Sequence, residues 1–262
     1  AVMHGEEVTV WYRRNFEKLK DNIRSILQIF TDNGVISTEE AVLLFDKINF
    51  TMDLEAAVQY ADFIQESIAE NIDTKKEMYQ KIQTAAGSKP VIASSTSFLF
   101  PSILSEGALY PERILVGHPY NPAYLMPVIE VCGGETASKE SIAFAKEIYA
   151  GWGKVPVECK KEVKGFICNE INQSATRIAR DEIVNGINNV YNRSPINTSY
   201  YLFFAIHLFL CRLIVPMKFF SPLCQLYLTL CENKFSPLKC RSRLVSSCIA
   251  NMRQPTALRL SY

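Results

Sequence analysis

Short runs of strand-like residues alternate with longer helical patterns along the first two thirds of the chain. The strand-like runs are rich in β-branched and aromatic residues and read VTVWYRR, INFTM, DFIQESI, PVIASST and KVPVECK. The runs between them carry apolar residues at helical spacing and read FEKLKDNIRSILQIF, TEEAVLLFDKI and SKESIAFAKEIYAGWG. This alternation predicts an α/β fold with a mostly parallel sheet that is covered on both faces.

Polar residues and glycines mark the expected ends of several helices. Thr38, with the glutamates after it, is expected to begin one helix. Asp73 is the expected N-cap of the next helix and Gly87 its expected stop. The first residues, AVMHG, are predicted to be the tail of a helix that ends at Gly5. Further along, GFICNEINQSATRIARDEIVNGI predicts a long helix, with one apolar face formed by Ile171, Ala175, Ile178 and Ile183.

One segment, GHPYNPAYLMPVIEV, combines a histidine with a carboxylate twelve residues later: His118 and Glu130. A neutral imidazole can take a proton from a substrate hydroxyl, while a carboxylate on its other nitrogen fixes the tautomer and stabilises the imidazolium. The prolines of GHPYNP predict that His118 lies at the carboxyl end of a strand, and MPVIEVCGG predicts the next strand with Glu130 near its end. Ligands bind at that edge of open α/β sheets. The segment therefore predicts a site that oxidises a hydroxyl group.

Four ordered motifs between residue 61 and about residue 187 resemble the 3-hydroxyacyl-CoA dehydrogenase family. They read ADFIQESIAENIDTKKEMYQKI, PVIASSTSFLFPS, ERILVGHPYNPAYLMPVIEVCGGETAS and KVPVECKKEVKGFICNEI. The resemblance implies an NAD-binding Rossmann-type domain, followed by an all-α domain that closes over the substrate and forms a homodimer. It implies a catalytic dyad of His118 and Glu130. The substrate-binding residues that it implies are Ser97, Asn121 and Asn169.

The residues of the histidine motif also indicate the class of substrate. Acyl-CoA enzymes of this family usually have an HFFNP form, whereas here Pro119 takes the first aromatic position. The HPxNPxYxxP form is similar to the L-carnitine dehydrogenase branch and, next, to the lambda-crystallin/L-gulonate 3-dehydrogenase branch. It implies oxidation of a small free 3-hydroxy acid, with L-carnitine converted to 3-dehydrocarnitine. The alternatives are a 3-hydroxyacyl-CoA dehydrogenase of fatty acid metabolism and a catalytically inactive truncated or structural relative.

The expected cofactor site is incomplete in the sequence. No G-x-G-x-x-G occurs, and the first strand, the glycine loop and most of the first helix of such a domain are expected to be missing. Where an acid usually bonds the adenosine ribose, the chain has Tyr12, Arg13 and Arg14. A basic pair there is typical of NADP sites, or of solvated arginines at a helix start, but the family resemblance favours NAD. The resemblance also implies cofactor-binding roles for Tyr12, Glu70, Lys75 and Ser97.

Composition changes near residue 188, at the point where the resemblance to the family stops. Residues 1–187 carry 26 acidic and 19 basic residues, whereas the remainder has one acid, nine bases, five of the eight cysteines and no glycine. The near-neutral total is therefore an average of two unlike parts and does not indicate nucleic-acid binding. We predict an incomplete Rossmann-like domain over 1–161, the start of a helical domain over 162–187 and an unassigned tail over 188–262.

The tail admits three interpretations. SYYLFFAIHLFLC is apolar but spans thirteen residues, short of the roughly 20 needed to cross a bilayer, so membrane insertion is not expected. Its cysteines lack C-x-x-C spacing, which disfavours a metal or disulfide module. The interpretation favoured here is a non-family sequence produced by read-through, a frameshift or an alternative exon. Without an apolar signal core at the start, the chain is expected to be cytoplasmic, with reduced thiols and no metal.

Overall fold

The described residues form an α/β fold of seven strands and several helices. The computed structural model describes residues 1–14, 16–171, 173–174 and 177. The strands are β1 (Val8–Trp11), β2 (Ile48–Thr51), β3 (Phe63–Glu66), β4 (Val91–Ser94), β5 (Ile114–Pro119), β6 (Val128–Cys132) and β7 (Val155–Cys159). The α-helices are α1 (Glu17–Asp32), α2 (Thr38–Asp46), α3 (Leu54–Val58), α4 (Ile72–Ala86), α5 (Pro101–Leu104) and α6 (Lys139–Gly151). Two 3₁₀ turns cover Val2–His4 and Pro111–Arg113.

The strands are divided between two sheets. β1 and β2 pair in parallel and form a two-stranded sheet. The other strands form a five-stranded sheet in the order β3-β4-β5-β6-β7. Within it, β3, β4 and β5 are parallel, β6 is antiparallel to β5, and β7 is parallel to β6. The predicted Rossmann-type α/β class is confirmed, and the sheets are mostly parallel.

The direction of β6 corrects the prediction that Glu130 lies near the carboxyl end of a strand beside His118. The connection from β5 to β6 is residues 120–127. A crossover between parallel strands needs a dozen or more residues, so this connection returns as an antiparallel hairpin. Glu130 is the central residue of β6, and it meets His118 because the two are direct partners in the antiparallel register.

The core of the five-stranded sheet lies on both of its faces. Because side chains alternate along a strand, β4 sends Ile92 to one face and Val91 and Ala93 to the other. The first face packs against side chains of α4 and α5, including Tyr79, Ile82 and Leu104. The second face packs against Ala145 and Tyr149 of α6. Coverage on both faces explains why β4 and β6 are apolar along nearly their whole length.

Observed helix ends confirm three predictions and correct two. α2 begins at Thr38, preceded by Ser37, which forms a capping box with Glu40. The predicted N-cap Asp73 is wrong: α4 begins two residues earlier, because the Asn71 side chain accepts a hydrogen bond from the Thr74 amide at 2.9 Å. Gly87 ends α4 with φ +67°, as predicted.

At the amino end, Gly5 terminates its element in the left-handed region, with φ +89°. The element before it is a 3₁₀ turn and not the tail of an α-helix, which corrects that prediction.

The start of the predicted long helix lies at the boundary of the described residues. Residues 166–171, 173–174 and 177 are helical. Most of its predicted apolar face and the whole of the predicted tail, 188–262, lie outside the described residues. In the part of the chain that the structure describes, no helix is long and apolar enough to cross a membrane.

Candidate active site

The centre of the site is the contact between His118 of β5 and Glu130 of β6. His118 Nδ1 lies 2.9 Å from Glu130 Oε2, and the two residues are 5% and 1% exposed. Because Nδ1 is engaged by the carboxylate, Nε2 is the ring nitrogen left to meet a substrate hydroxyl. The geometry is that of a general base held by a buried carboxylate.

Glu130 accepts hydrogen bonds from four donors. Its Oε1 accepts the backbone amides of Ile167 at 2.9 Å and Cys168 at 3.1 Å, from the first turn of the helix that begins at residue 166. Its Oε2 accepts the Tyr120 hydroxyl at 2.7 Å as well as His118. Amides at a helix N-terminus and a hydroxyl donor stabilise the ionised carboxylate, which compensates for its burial.

The helix start that supplies these amides is held in an unusual backbone conformation. Phe166 has φ +53°, in the left-handed region, although its side chain is large and fully buried. Its ring lies 5.4 Å from the His118 ring, centroid to centroid. A bulky residue with positive φ is uncommon and requires support from the surrounding structure. Here it turns the chain so that the next two amides point at Glu130.

Two of the buried thiols near Glu130 have raised pKa values. Burial, reinforced by the Glu130 charge, raises the pKa of the Cys159 thiol to about 12. Burial also raises the pKa of Cys132. Both thiols are therefore neutral at physiological pH and do not compete with His118 as bases or nucleophiles.

A polar network supports the backbone just before His118. The Tyr149 hydroxyl donates to Gln65 Oε1 at 2.5 Å, and Gln65 Nε2 donates to the Gly117 carbonyl at 3.1 Å and to Ser95 Oγ at 2.8 Å. Any side chain at Gly117 would overlap the Tyr149 hydroxyl. The network joins β3, β4, β5 and α6, so it fixes the strand end that carries His118.

A second buried polar cluster surrounds Lys75, which was predicted to contact the cofactor. Lys75 is 1% exposed, and its ammonium lies 2.7 Å from Glu66 Oε1 and 3.8 Å from Glu70 Oε2. Glu66 Oε2 also accepts the hydroxyls of Tyr79 at 2.5 Å and Ser94 at 2.8 Å. The Lys75 charge is thus compensated from within the protein.

Glu66 was missed by the sequence reasoning. The signal for it was the carboxylate at the end of the strand pattern FIQE. Burial, with the Glu66 charge next to it, raises the pKa of Tyr79 well above its usual value. Tyr79 therefore stays protonated and acts as a hydrogen-bond donor to Glu66.

Glu70 and Ser97 are brought together at the carboxyl ends of β3 and β4. Glu70 Oε1 accepts the Ser97 amide at 3.1 Å and the Thr96 hydroxyl, while its side chain stays 42% exposed. With Lys75 behind it, this cluster contains three of the four residues predicted for the cofactor. The fourth, Tyr12, follows β1 of the two-stranded sheet, where it is 37% exposed and its ring lies 6.3 Å from that of Phe16.

Asn169 and Asn121, the remaining predicted substrate residues, lie in two different segments of the chain. Asn169 lies in the helix that begins at residue 166, and a Cβ placed on Gly165 would be 3.0 Å from Asn169 Cβ and 3.8 Å from the Phe98 ring. The Ser97–Phe98 loop and this helix therefore meet at Gly165. Asn121 is exposed in the loop after β5, three residues past His118.

Lys154 holds the loop that carries Asn121. Its ammonium donates to the carbonyls of Ala123 at 2.5 Å and Met126 at 2.8 Å. Burial lowers the pKa of Lys154 to about 8. A cation placed on two backbone carbonyls ties the loop to the amino end of β7.

The polar groups at the ends of β3 and β4 fit part of a dinucleotide. Adjacent parallel strands present Glu70 and the Ser97 hydroxyl at their carboxyl edge, where α/β folds bind such ligands. These groups suit the hydroxyl and amide groups of a nicotinamide riboside. A glycine loop for the pyrophosphate does not occur in the sequence. Among the described residues, no cluster of three or more His, Cys, Asp or Glu could bind a metal ion.

Comparisons with known proteins agree with this geometry. Residues 2–163 match the family described as 3-hydroxyacyl-CoA dehydrogenase, NAD binding domain. The chain is 42% identical over 142 residues to L-carnitine dehydrogenase of Pseudomonas putida, an alignment that covers 54% of this chain and 44% of that enzyme. L-carnitine dehydrogenase of Pseudomonas syringae pv. syringae is 39% identical over 189 residues, which cover 71% of this chain and 58% of that enzyme. The chain thus spans about half the length of these relatives.

Among solved structures, 3-hydroxybutyryl-CoA dehydrogenase from Escherichia coli K12 superposes with a TM-score of 0.64 at 23% identity, covering 70% of this chain and 39% of that one. This likeness concerns the fold. The family match confirms NAD as the cofactor that goes with this domain. The chain belongs to the 3-hydroxyacyl-CoA dehydrogenase family.

Proposed function

We propose that this chain is the NAD-binding, base-carrying part of a dehydrogenase that oxidises the 3-hydroxyl of a small free hydroxy acid, with L-carnitine as the substrate. The observation that carries the proposal is the His118–Glu130 pair, which is buried and linked at 2.9 Å through Nδ1 of the histidine. The name shared by the two relatives described above supports the choice of substrate.

In the proposed mechanism, His118 Nε2 takes the proton of the substrate hydroxyl. Glu130 fixes the tautomer and stabilises the imidazolium that forms, and its own charge is held by the amides of Ile167 and Cys168. NAD, when bound, would supply the acceptor for the hydride that leaves the carbon bearing the hydroxyl. The protein therefore contributes the base, the orientation of the base and a water-poor environment for it.

Ser97, Asn121 and Asn169 are the groups we propose to hold the substrate oxygen or the loop around it through hydrogen bonds. They lie after β4, after β5 and in the helix beyond β7, so they belong to three separate segments. Ser97 is positioned by the hydrogen bond that its backbone amide donates to Glu70 Oε1. Neutral donors suit this task because they polarise a developing carbonyl without changing the charge of the site.

Glu70 is the part of the Lys75 cluster that we propose to contact the nicotinamide riboside, because it is the half-exposed member. Lys75 acts through Glu70, since its ammonium is already engaged by buried Glu66. Tyr12 is proposed as a contact to the adenosine side, at the end of β1.

The wider assignments are part of the same proposal. A homodimer, a cytoplasmic location and a role in carnitine metabolism follow from family resemblance and from the expectations for the sequence. The finding on the described residues is that none of their helices could span a membrane.

The test is NADH formation by the purified full chain with L-carnitine and, separately, with 3-hydroxybutyryl-CoA. We expect reduction of NAD that depends on L-carnitine and at least ten-fold weaker turnover of the CoA thioester. A preference for the thioester would replace the substrate assignment with an acyl-CoA one. No reduction with either substrate, under conditions where circular dichroism shows a folded protein, would contradict the proposed activity of this chain.

A further inference from the structure

Tyr120 is a buried residue with a hydroxyl aimed at the catalytic carboxylate. It is 4% exposed, its hydroxyl donates to Glu130 Oε2 at 2.7 Å, and its ring centroid lies 5.3 Å from that of His118. The oxygen that accepts this hydroxyl is the same oxygen that meets His118 Nδ1. The two residues therefore share one acceptor atom, while the other oxygen is occupied by backbone amides.

Sharing one oxygen has a direct electrostatic consequence. Each donor withdraws electron density from Oε2 and stabilises its negative charge, so the attraction between Oε2 and the second donor becomes weaker. The imidazolium of His118 is stabilised by the same oxygen. The Tyr120 hydroxyl therefore moderates the stabilisation that Glu130 gives to protonated His118.

Among the described residues, the titratable groups beside Glu130 and His118 include three thiols. They are the thiols of Cys132 on its own strand, Cys159 on β7 and Cys168 in the helix that begins at residue 166. Burial raises the pKa of Cys132 and Cys159, so both thiols remain neutral near pH 7. The remaining side chain packed on the His118 ring, Phe166, does not ionise.

We infer that Tyr120 is a positioning residue that acts on His118 through Glu130, because its hydroxyl weakens the stabilisation that the carboxylate gives to the imidazolium. The inference rests on the proposed function for its catalytic meaning, whereas the effect itself is measured on Tyr120, Glu130 and His118. A base is most effective when it is unprotonated at the working pH, so a hydroxyl that weakens the hold on the imidazolium favours catalysis.

The experiment is an NMR titration of the histidines in the full chain without substrate or cofactor, comparing wild type with Tyr120→Phe. Phenylalanine preserves the ring packing and removes the hydroxyl. The chain has three histidines, and the spectrum of His118→Gln identifies the signal of His118. We expect the midpoint of the His118 titration to move to higher pH by roughly one unit in Tyr120→Phe. An unchanged or lower midpoint would overturn the inference.

A second variant is designed to move the His118 midpoint in the opposite direction, and it keeps every atom of the hydrogen bond. A fluorinated tyrosine placed at position 120 is a stronger donor, so the midpoint should move to lower pH. Tyr124→Phe is the matched control, because Tyr124 lies in the same loop and its ring packs against Phe30 of α1 at 5.9 Å. The control should leave the midpoint unchanged, and a shift of the same size there would contradict a specific role for Tyr120.

Activity supplies a separate readout. If the chain oxidises L-carnitine, the acidic limb of the pH profile of kcat/KM should move to higher pH in Tyr120→Phe by the same amount as the NMR midpoint. A chain without that activity would refute the proposed function, whereas the NMR midpoints would still decide the role of Tyr120. The two failures are therefore distinguishable.

Discussion

The two sheets of this protein differ in how much of each strand is buried. Every residue of β4 and β6 is buried in the five-stranded sheet, whereas neither β1 nor β2 of the two-stranded sheet contains a buried residue. A two-stranded sheet has little apolar surface to hide and is marginal alone. The five-stranded sheet, in contrast, is covered by packed side chains on both faces. It can therefore hold charged side chains in place away from the surface.

The buried ionisable residues that the structure describes are also found with the five-stranded sheet and not with the two-stranded one. Glu66, Lys75, His118 and Glu130 are all nearly inaccessible and all belong to the five-stranded sheet or to α4 beside it. Electrostatic interactions are stronger in such surroundings, and an unpaired charge there is costly. Charged residues of α1 are at the surface and are screened by water and salt.

The largest effect is expected from Lys75→Met, compared with Lys20→Met in α1. Lys75 lies 2.7 Å from buried Glu66, so its loss leaves a buried carboxylate without its cation and should lower the free energy of unfolding by about 3–5 kcal/mol. Lys20 is 29% exposed and lies 3.8 Å from Glu17, so its replacement should change stability by about 1 kcal/mol or less. Urea unfolding followed by circular dichroism measures both. Equal losses of stability in the two variants would contradict the expected difference between the buried and the exposed ion pair.

A smaller contrast is expected for matched isoleucines in the two sheets. Ile92 of β4 is fully buried, so Ile92→Ala should cost about 2–5 kcal/mol, because it leaves a cavity between packed layers. Ile48 of β2 is only partly buried, so Ile48→Ala should cost about 1 kcal/mol. Urea unfolding of the two variants tests this, and a larger loss for Ile48→Ala would reverse the comparison.

The smallest effect concerns pH and Lys154, which ties the loop after β5 to β7. Burial lowers its pKa to about 8 from the ordinary lysine value of 10.5, so between these two pH values the unfolded chain binds more protons than the folded one. Stability from this group therefore rises as pH increases from 8 to 10.5. The free energy of unfolding of wild type, measured relative to that of Lys154→Met, should increase by about 2 kcal/mol between pH 7 and pH 10. Urea unfolding of wild type and Lys154→Met at pH 7 and pH 10 measures this difference.

The fold class and the pairing of His118 with Glu130 could be predicted from the sequence because both depend on local patterns. The alternation of strand and helix patterns and the family motifs identified β3 to β7 and the pair His118 and Glu130. The antiparallel return of β6 was missed, because strand direction depends on the short loop 120–127 and not on residue type.

The partners of Glu130 could not be predicted from the sequence. Its amide donors come from Ile167 and Cys168, 37 and 38 residues away, and depend on the left-handed conformation of Phe166. The burial of Lys75 could not be predicted either, because a lysine at a helix start is usually solvated.

The measurement that tests the central claim most directly is the rate of NADH formation with L-carnitine in His118→Gln and Glu130→Gln, beside Glu158→Gln of β7 as a control. We expect kcat to fall by roughly 10²–10⁴-fold for His118→Gln and substantially for Glu130→Gln, because the base or its orientation is lost. The control should retain the wild-type rate, because the Glu158 side chain is 39% exposed and pairs with Lys146. A wild-type rate in His118→Gln would contradict the assignment of the buried dyad as the catalytic centre.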